Sequence, residues 1–343
     1  MPHATFLRFI LPSLAAMLIF IAAPIVSVIV QSLHIEHAQV LVQSESCTPF
    51  TGCSKTTNVD AAATARLRAA EPLGRFNGLG TYLDRKHLAT AEVAEAWGQS
   101  TGLREFGARL MSLPFYQAMA FTLTYTFVVT PFVVVLGLAI ALGINSLPPI
   151  FKGPTIFASL LPMIVTPLIG SMVLFWMIDA RGIIGSSLQT LTGDPSLSLK
   201  ASPALTWVTL IVYGVWHSTP FAFIVFYAGL QSVSSDTLEA AMIDGASRWE
   251  RLRYVVVPHM APLVVFVLMI QLMDNFRVFE PIVGFSAAAN ATSLSYSIYS
   301  DLAQASPSYA SAAATSMLTV LGVAILLVPV LVRTWRDFDS RRA

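Results

Sequence analysis

The sequence predicts an all-α integral membrane protein with six transmembrane helices and a long polar loop after the first. Three observations carry this. Hydrophobic residues make up 55% of the 343 positions and charged residues only 11%, against roughly 25% charged in an ordinary soluble domain. Six runs are apolar over about the 20 residues that a bilayer demands: 8–32, 116–144, 154–178, 204–229, 260–283 and 309–332. The lysines and arginines of the short connections also fall mainly on one side. The net charge of +1 offers no electrostatic footprint for nucleic acid.

The N-terminal segment, 1–33, reads as a retained helix. Its apolar run is too long for a signal-peptide core, and only Arg8 supplies a charge ahead of it. Basic residues in short loops set the orientation. With the N-terminus inside, Arg8, Lys152, Arg248, Arg251, Arg253, Arg333, Arg336, Arg341 and Arg342 are cytoplasmic, and the short outer loops keep Arg181 and Lys200. Both termini are therefore expected in the cytoplasm, with 336–343 as a tail. The long loop is left out of the comparison, because long loops translocate regardless of charge.

Residues 34–114 form one outer excursion, polar and alanine-rich. Composition favours helix over 60–71 and 84–112. Cys47 and Cys53 flank TPFTG, whose Pro and Gly favour a turn. In an oxidising compartment they could close a small disulfide loop; the alternative is two free thiols. No metal site is expected, since His34 and His37 have no ligand spacing to the cysteines. The stretch RFNGLGTY (75–82) reads as a turn against the membrane face.

Residues 115–335 form a core of five spans. Loop 146–153 (SLPPIFKG) is a tight cytoplasmic turn on two prolines. Loops 179–203 and 284–308 line an outer vestibule, because irregular backbone is tolerated at depth only where protein or water covers it. In the fourth span, Trp216, His217, Thr219 and Phe221 surround Pro220, which loosens local helix bonding. Trp216 or Phe221 could stack on a sugar ring or simply pack in the core. The fifth span carries Gln271, Asp274, Asn275, Arg277 and Glu280. Asp274 lies roughly 24 Å beyond Pro258 at about 1.5 Å per residue, in the outer third of a core of about 30 Å. Gln271, Asp274 and Asn275 share a face at i, i+3, i+4. Polar groups inside spans mark pathways, so Gln271, Asn275, Asp274, Trp216, Thr219 and Phe221 make up the candidate substrate path. The competing view is structural pairing, with Arg277 bridging Asp274 or Glu280.

Residues 236–258 form the long polar helical segment between two spans on the cytoplasmic side. Asp236 is expected to cap a helix, with Glu239 completing a capping box. Ala240 and Ala241 present a small flat face. Gly245 is expected in the left-handed conformation that ends a helix. A second short helix, Ser247–Tyr254, follows, and Pro258 opens the fifth span. Such an elbow fits a groove on another protein, and its arginines can pair with acidic rims or with lipid phosphates. The alternative is an ordinary amphipathic helix lying in the interface.

The segment Glu239–Pro258, EAAMIDGASRWERLRYVVVP, resembles the EAA loop of permease subunits in ATP-binding-cassette importers. Val255 and Val257 stand where that family usually has Ile and Leu. Residues 75–82, 115–145 and 307–314 (PSYASAAA) are similar to corresponding stretches of maltose- and glycerol-phosphate-type permeases. The resemblance implies the type I importer permease fold in a bacterial inner membrane, with a coupling set of Glu239, Ala240, Ala241, Asp244, Gly245, Arg248 and Pro258. It implies an ATPase dimer, a second permease subunit and a periplasmic solute-binding protein as partners, and sugars, polyols or glycerol-phosphate derivatives as solutes. In that family, substrate contacts fall near Gln271 and Asn275 and on 214–223. The chain has no phosphate-cradling G-x-x-x-x-G-K-[ST] segment and no Ser-His-Asp constellation. It is therefore read as a transport subunit without catalysis or cofactor, its ATP hydrolysis supplied by a separate subunit. The alternative is a secondary transporter of a small polar solute with no ATPase. The elbow, the short length and the lack of a carboxylate near the midplane argue against it.

Overall fold

A computed structural model describes residues 2–48, 52–200, 202–304 and 307–340. The chain divides into two compact units, Met1–Tyr116 with Ser297–Thr319, and Gln117–Tyr296 with Val320–Ala343.

In the first unit, helix α1 (Pro2–Met17) continues through one π turn (Leu18–Ala22) into α2 (Ala23–Ser32). Pro24 lacks the N–H an α-turn would require, and the widened turn before it absorbs the missing bond. The outer excursion is more ordered than its composition suggests. Strands β1 (His34–Ile35), β2 (Leu41–Thr48) and β3 (Gly52–Val59) come first. They are followed by α3 (Ala61–Ala70) and β4 (Arg75–Phe76). Strands β2 and β3 pair antiparallel, with Cys47 opposite Cys53 in the backbone register. The side chains of Cys47 and Cys53 lie outside the described residues, and so does the expected disulfide. Helix α3 matches the expectation for 60–71, with Asp60 as its cap. Short helix α4 (Gly80–Leu83) precedes the stretch 84–112, whose composition favours helix. It is two, α5 (Thr90–Gln99) and α6 (Leu103–Leu110), because extended backbone at Ser100 and Gly102 separates them.

In the second unit, α7 (Pro114–Asn145), α11 (Pro203–Gln231) and α14 (Val257–Phe276) supply most of the core. Phe121, Tyr125, Val129 and Val133 of α7 recur at helical spacing and pack with Leu210, Phe223, Phe226, Met260 and Val267. Trp207 donates to the carbonyl of Asn290 at 2.9 Å, fastening the loop before α16 (Leu294–Ala303) to α11. Helix α10 (Ile183–Thr192) lies in the loop after the third apolar run.

That third run departs from the expected straight span. It forms α8 (Pro149–Ile164) and α9 (Pro167–Met177), bent by 92° at a two-residue break. Val165 and Thr166 sit in extended conformations. Pro167 supplies no N–H to the preceding turn and disfavours helix at the residue before it. The fifth span also differs: its helix stops at Phe276, not near 283. After a turn at Arg277 the chain restarts as the short α15 (Glu280–Gly284). Here α15 lies close to α9, where a Cβ on Gly284 would collide with Ser171 Oγ. Helices α16 (Leu294–Ala303) and α17 (Tyr309–Ser340) complete the chain. By length and apolarity, five helices among the described residues can cross a membrane, or six if the bent pair is counted as one.

Candidate functional site

The elbow is α12 (Ser235–Ile243), a glycine turn, and α13 (Arg248–Arg251). Gly245 has φ +84°, the left-handed value expected. Its N–H donates to Met242 O and the N–H of Ala246 to Ala241 O, both at 3.0 Å. This pair of bonds closes the helix end as a Schellman motif. No atom lies within 4 Å of where a Cβ on Gly245 would be, so the glycine is required by backbone conformation and not by crowding.

The cap is not where it was expected. Helix α12 starts after Ser234, and Asp236 lies inside the first turn, where its carboxylate meets the helix dipole but caps nothing. The capping box belongs to α13. Ser247 Oγ accepts from the Glu250 N–H at 3.3 Å, and Glu250 Oε2 accepts from the Ser247 N–H at 2.7 Å. Hydrogen bonding from Ser247, side chain first and then backbone, holds the Glu250 carboxyl below its usual range. The second helix was expected over Ser247–Tyr254 with a fresh start at Pro258. Instead α13 passes through a π turn (Leu252–Val256) into α14 as one continuous rod, Arg248–Phe276. The π turn accommodates the N–H that Pro258 lacks. Glu239, Ala240, Asp244, Gly245, Arg248 and Pro258 are exposed, and Ala241 is half-buried. Ile243 and Trp249 stand 85% and 67% exposed, too much apolar surface for a bare loop in water.

A cavity of about 470 Å³ opens among α7, the α8–α9 break, α11, α14 and α15. It brings together Phe221, Gln271, Asp274 and Asn275. Gln271 and Asn275 are almost fully buried, and Asn275 Nδ2 donates to Thr130 Oγ1 at 3.0 Å. Asp274 is exposed and pairs with Arg277 at 2.8 Å, the i, i+3 bridge that the sequence allowed. Arg277 and Glu280 also line the cavity. Trp216 and Thr219 are not among its lining residues. Trp216 is exposed on α11, and the Thr219 hydroxyl donates to Val215 O within its own helix.

His217 and Ser218, which belong to the stretch 214–223 but not to the candidate path, line the cavity, and so does Tyr125, which the sequence did not single out. His217 Nδ1 lies 3.0 Å from Pro162 O, and Tyr213 donates to Pro167 O at 2.7 Å. These two side chains of α11 satisfy carbonyls on either side of the break. The signal was present in Pro162 and Pro167 together. Among the described residues no cluster of potential ligands could hold a metal ion.

Residues 105–338 match the family model described as "binding-protein-dependent transport system inner membrane component". The chain belongs to this family. As such a component, it is 32% identical over 223 residues to the trehalose transport system permease protein SugA of Mycobacterium tuberculosis, across 65% of this chain and 69% of SugA. It is 28% identical over 204 residues to the trehalose/maltose transport system permease protein MalF of Thermococcus litoralis, across 59% and 68%. A probable ABC transporter permease protein of Sinorhizobium fredii, y4oQ, is 32% identical over 186 residues, and the chain spans 58% of its length. The fold of this family member is similar to a chain in the crystal structure of a bacterial ABC transporter involved in the import of the acidic polysaccharide alginate. The TM-score is 0.56 at 22% identity, covering 81% of this chain and 95% of that one.

Proposed function

We propose that this chain is the permease subunit of an ATP-driven importer that carries a carbohydrate or polyol-type solute inward. It works with a second permease subunit, an ATPase dimer that hydrolyses the ATP, and a periplasmic solute-binding protein. It lies in a bacterial inner membrane, in contact with lipid, with both termini in the cytoplasm. Glu239, Ala240, Ala241, Asp244, Gly245, Arg248 and Pro258 transmit ATPase closure, and Gln271, Asn275, Asp274 and Phe221 line the solute path. Trp216 and Thr219, on the same stretch of α11, adjust that path from outside the cavity.

The observation that carries this reading is the rod Arg248–Phe276. One end of it bears the exposed elbow, and the other bears Gln271 and Asn275 in the polar cavity. A push on the elbow therefore reaches the cavity through one helix. Amide and carboxylate groups beside an aromatic ring suit a hydroxylated solute, and relatives named for trehalose and maltose support that class. The test is uptake of labelled trehalose and maltose by proteoliposomes holding the chain, its partner permease, the ATPase and the binding protein. Uptake that needs ATP inside supports the reading. Uptake by this chain without the ATPase, driven by an ion gradient, overturns it.

A further inference from the structure

The short segment after the first span bears apolar surface at a defined height. The apolar helix Phe9–Ser32 is 24 residues long, about 36 Å at 1.5 Å per residue, slightly more than a hydrocarbon core of about 30 Å. Ser32 therefore stands at the membrane surface. Three hydrogen-bonded ties hold residues 75–82 at that level. Strand β4 pairs with β1, His34 opposite Phe76. The N–H of Asn77 donates to Leu33 O at 2.8 Å, and Tyr82 donates to Ser32 Oγ at 2.7 Å. Within this pinned segment Phe76, Leu79 and Leu83 are 68%, 64% and 47% exposed. The span itself is exposed as a membrane helix would be, with Phe20 77% and Ile25 51% exposed.

From this geometry we infer that Phe76, Leu79 and Leu83 insert into the interfacial layer of the lipid leaflet around the end of the first span, forming an in-plane membrane anchor. Apolar and aromatic side chains held at the headgroup boundary lose their contact with water there, while the polar ends of Asn77 and Tyr82 stay hydrogen-bonded. The partner is lipid, because the ties place the segment at the level where the bilayer ends. The inference rests on the membrane-spanning reading of the first helix.

The test is nitroxide depth measurement on the full chain in vesicles of phosphatidylethanolamine and phosphatidylglycerol, with Cys47→Ser and Cys53→Ser. Labels are placed singly through Leu79→Cys and Leu83→Cys, with Phe20→Cys as the buried reference and Glu95→Cys as the aqueous one. At Leu79 and Leu83, collision with oxygen should exceed collision with a water-soluble nickel chelate, at depths between the two references. Labels at Leu79 and Leu83 that match Glu95 in nickel exposure, with Phe20 still deep, would overturn the anchor. Labels immobilised and shielded from both reagents would also overturn it, since protein would then cover the segment. A Phe20 label exposed to nickel would overturn the spanning helix itself.

Discussion

Asn275 on α14 donates to the hydroxyl of Thr130 on α7 at 3.0 Å, and its amide also approaches Gln271 Oε1 at 3.5 Å. Two spans are thus tied at the cavity wall through one side chain. Interhelical hydrogen bonds of this kind contribute about 0.6 kcal/mol on average and up to about 1.7 in membranes. Asn275→Ala should therefore lower solute uptake several-fold while the assembled complex stays intact. Thr130→Val removes the tie but leaves the amide in the cavity, so its loss should be smaller. Uptake by both single variants and the double variant decides the matter. Wild-type rates in Asn275→Ala across solute concentrations would remove Asn275 from the path.

At the elbow, the open space around Gly245 separates backbone strain from crowding. A β-branched residue at φ +84° costs roughly 1–3 kcal/mol, and asparagine tolerates the left-handed region far better. Gly245→Val should therefore reduce co-purification of the ATPase subunits and abolish most uptake, with Gly245→Asn falling between it and the wild type. If valine and asparagine both co-purify the ATPase at wild-type levels, the turn does not position the elbow.

The α13 cap should be sensitive to acid. Ser247 hydrogen bonds lower the Glu250 pKa, so the ionised carboxylate stabilises the cap. That contribution is fully present above the unfolded carboxylate value of about 4.3 and is lost as pH falls through the folded value. A nitroxide introduced through Arg253→Cys should stay ordered at the ordinary glutamate pKa and grow more mobile only in more acid solution, as pH falls through the lowered folded value, in the wild-type background. Glu250→Gln keeps an acceptor for the Ser247 N–H and removes the titration, so its label should stay ordered across the range. Identical pH profiles for the two would rule out the capping box as the cause.

The spans and the Gly245 turn are legible in the sequence because each depends on a short local rule. A run of apolar residues must span the core, and a glycine between two polar helices takes positive φ. The α8–α9 break escapes a hydropathy reading, since Val165 and Thr166 are as acceptable in a helix average as in an extended step. Only the phase of Pro167 relative to its missing donor reveals it. The start of α12 falls at Ser235, one residue before Asp236, and Ser234 makes no side-chain cap, while the capping box forms at Ser247 and Glu250, because a shift of one or two residues changes which oxygen faces the first N–H groups. Likewise His217, not Trp216, lines the cavity. Neighbours on a helix differ by about 100° in direction, and the facing element that decides between them lies more than fifty residues away. The β2–β3 hairpin is hidden by composition, its alternating residues being polar on both faces.

The break between α8 and α9 is met by side chains of α11. A straight α8–α9 helix would pair the Pro162 carbonyl with a backbone N–H. In the bent form, His217 Nδ1, necessarily the protonated nitrogen because a carbonyl only accepts, takes that place at 3.0 Å. Tyr213 donates to Pro167 O at 2.7 Å, as a second donor to a carbonyl that also closes the first turn of α9, so its loss should cost less. Leaving a buried carbonyl without a donor costs about 1–3 kcal/mol. His217→Phe and Tyr213→Phe, which keep a ring in place, should each lower thermal stability in detergent, and the pair together should lower it further. Spin labels through Phe157→Cys and Val173→Cys report the angle itself. The double variant should broaden their distance distribution toward the longer separations of a straighter helix. An unchanged distribution with unchanged stability would mean that Pro162 and Pro167 hold the 92° bend by themselves. His217 would then belong to the cavity wall and not to the hinge.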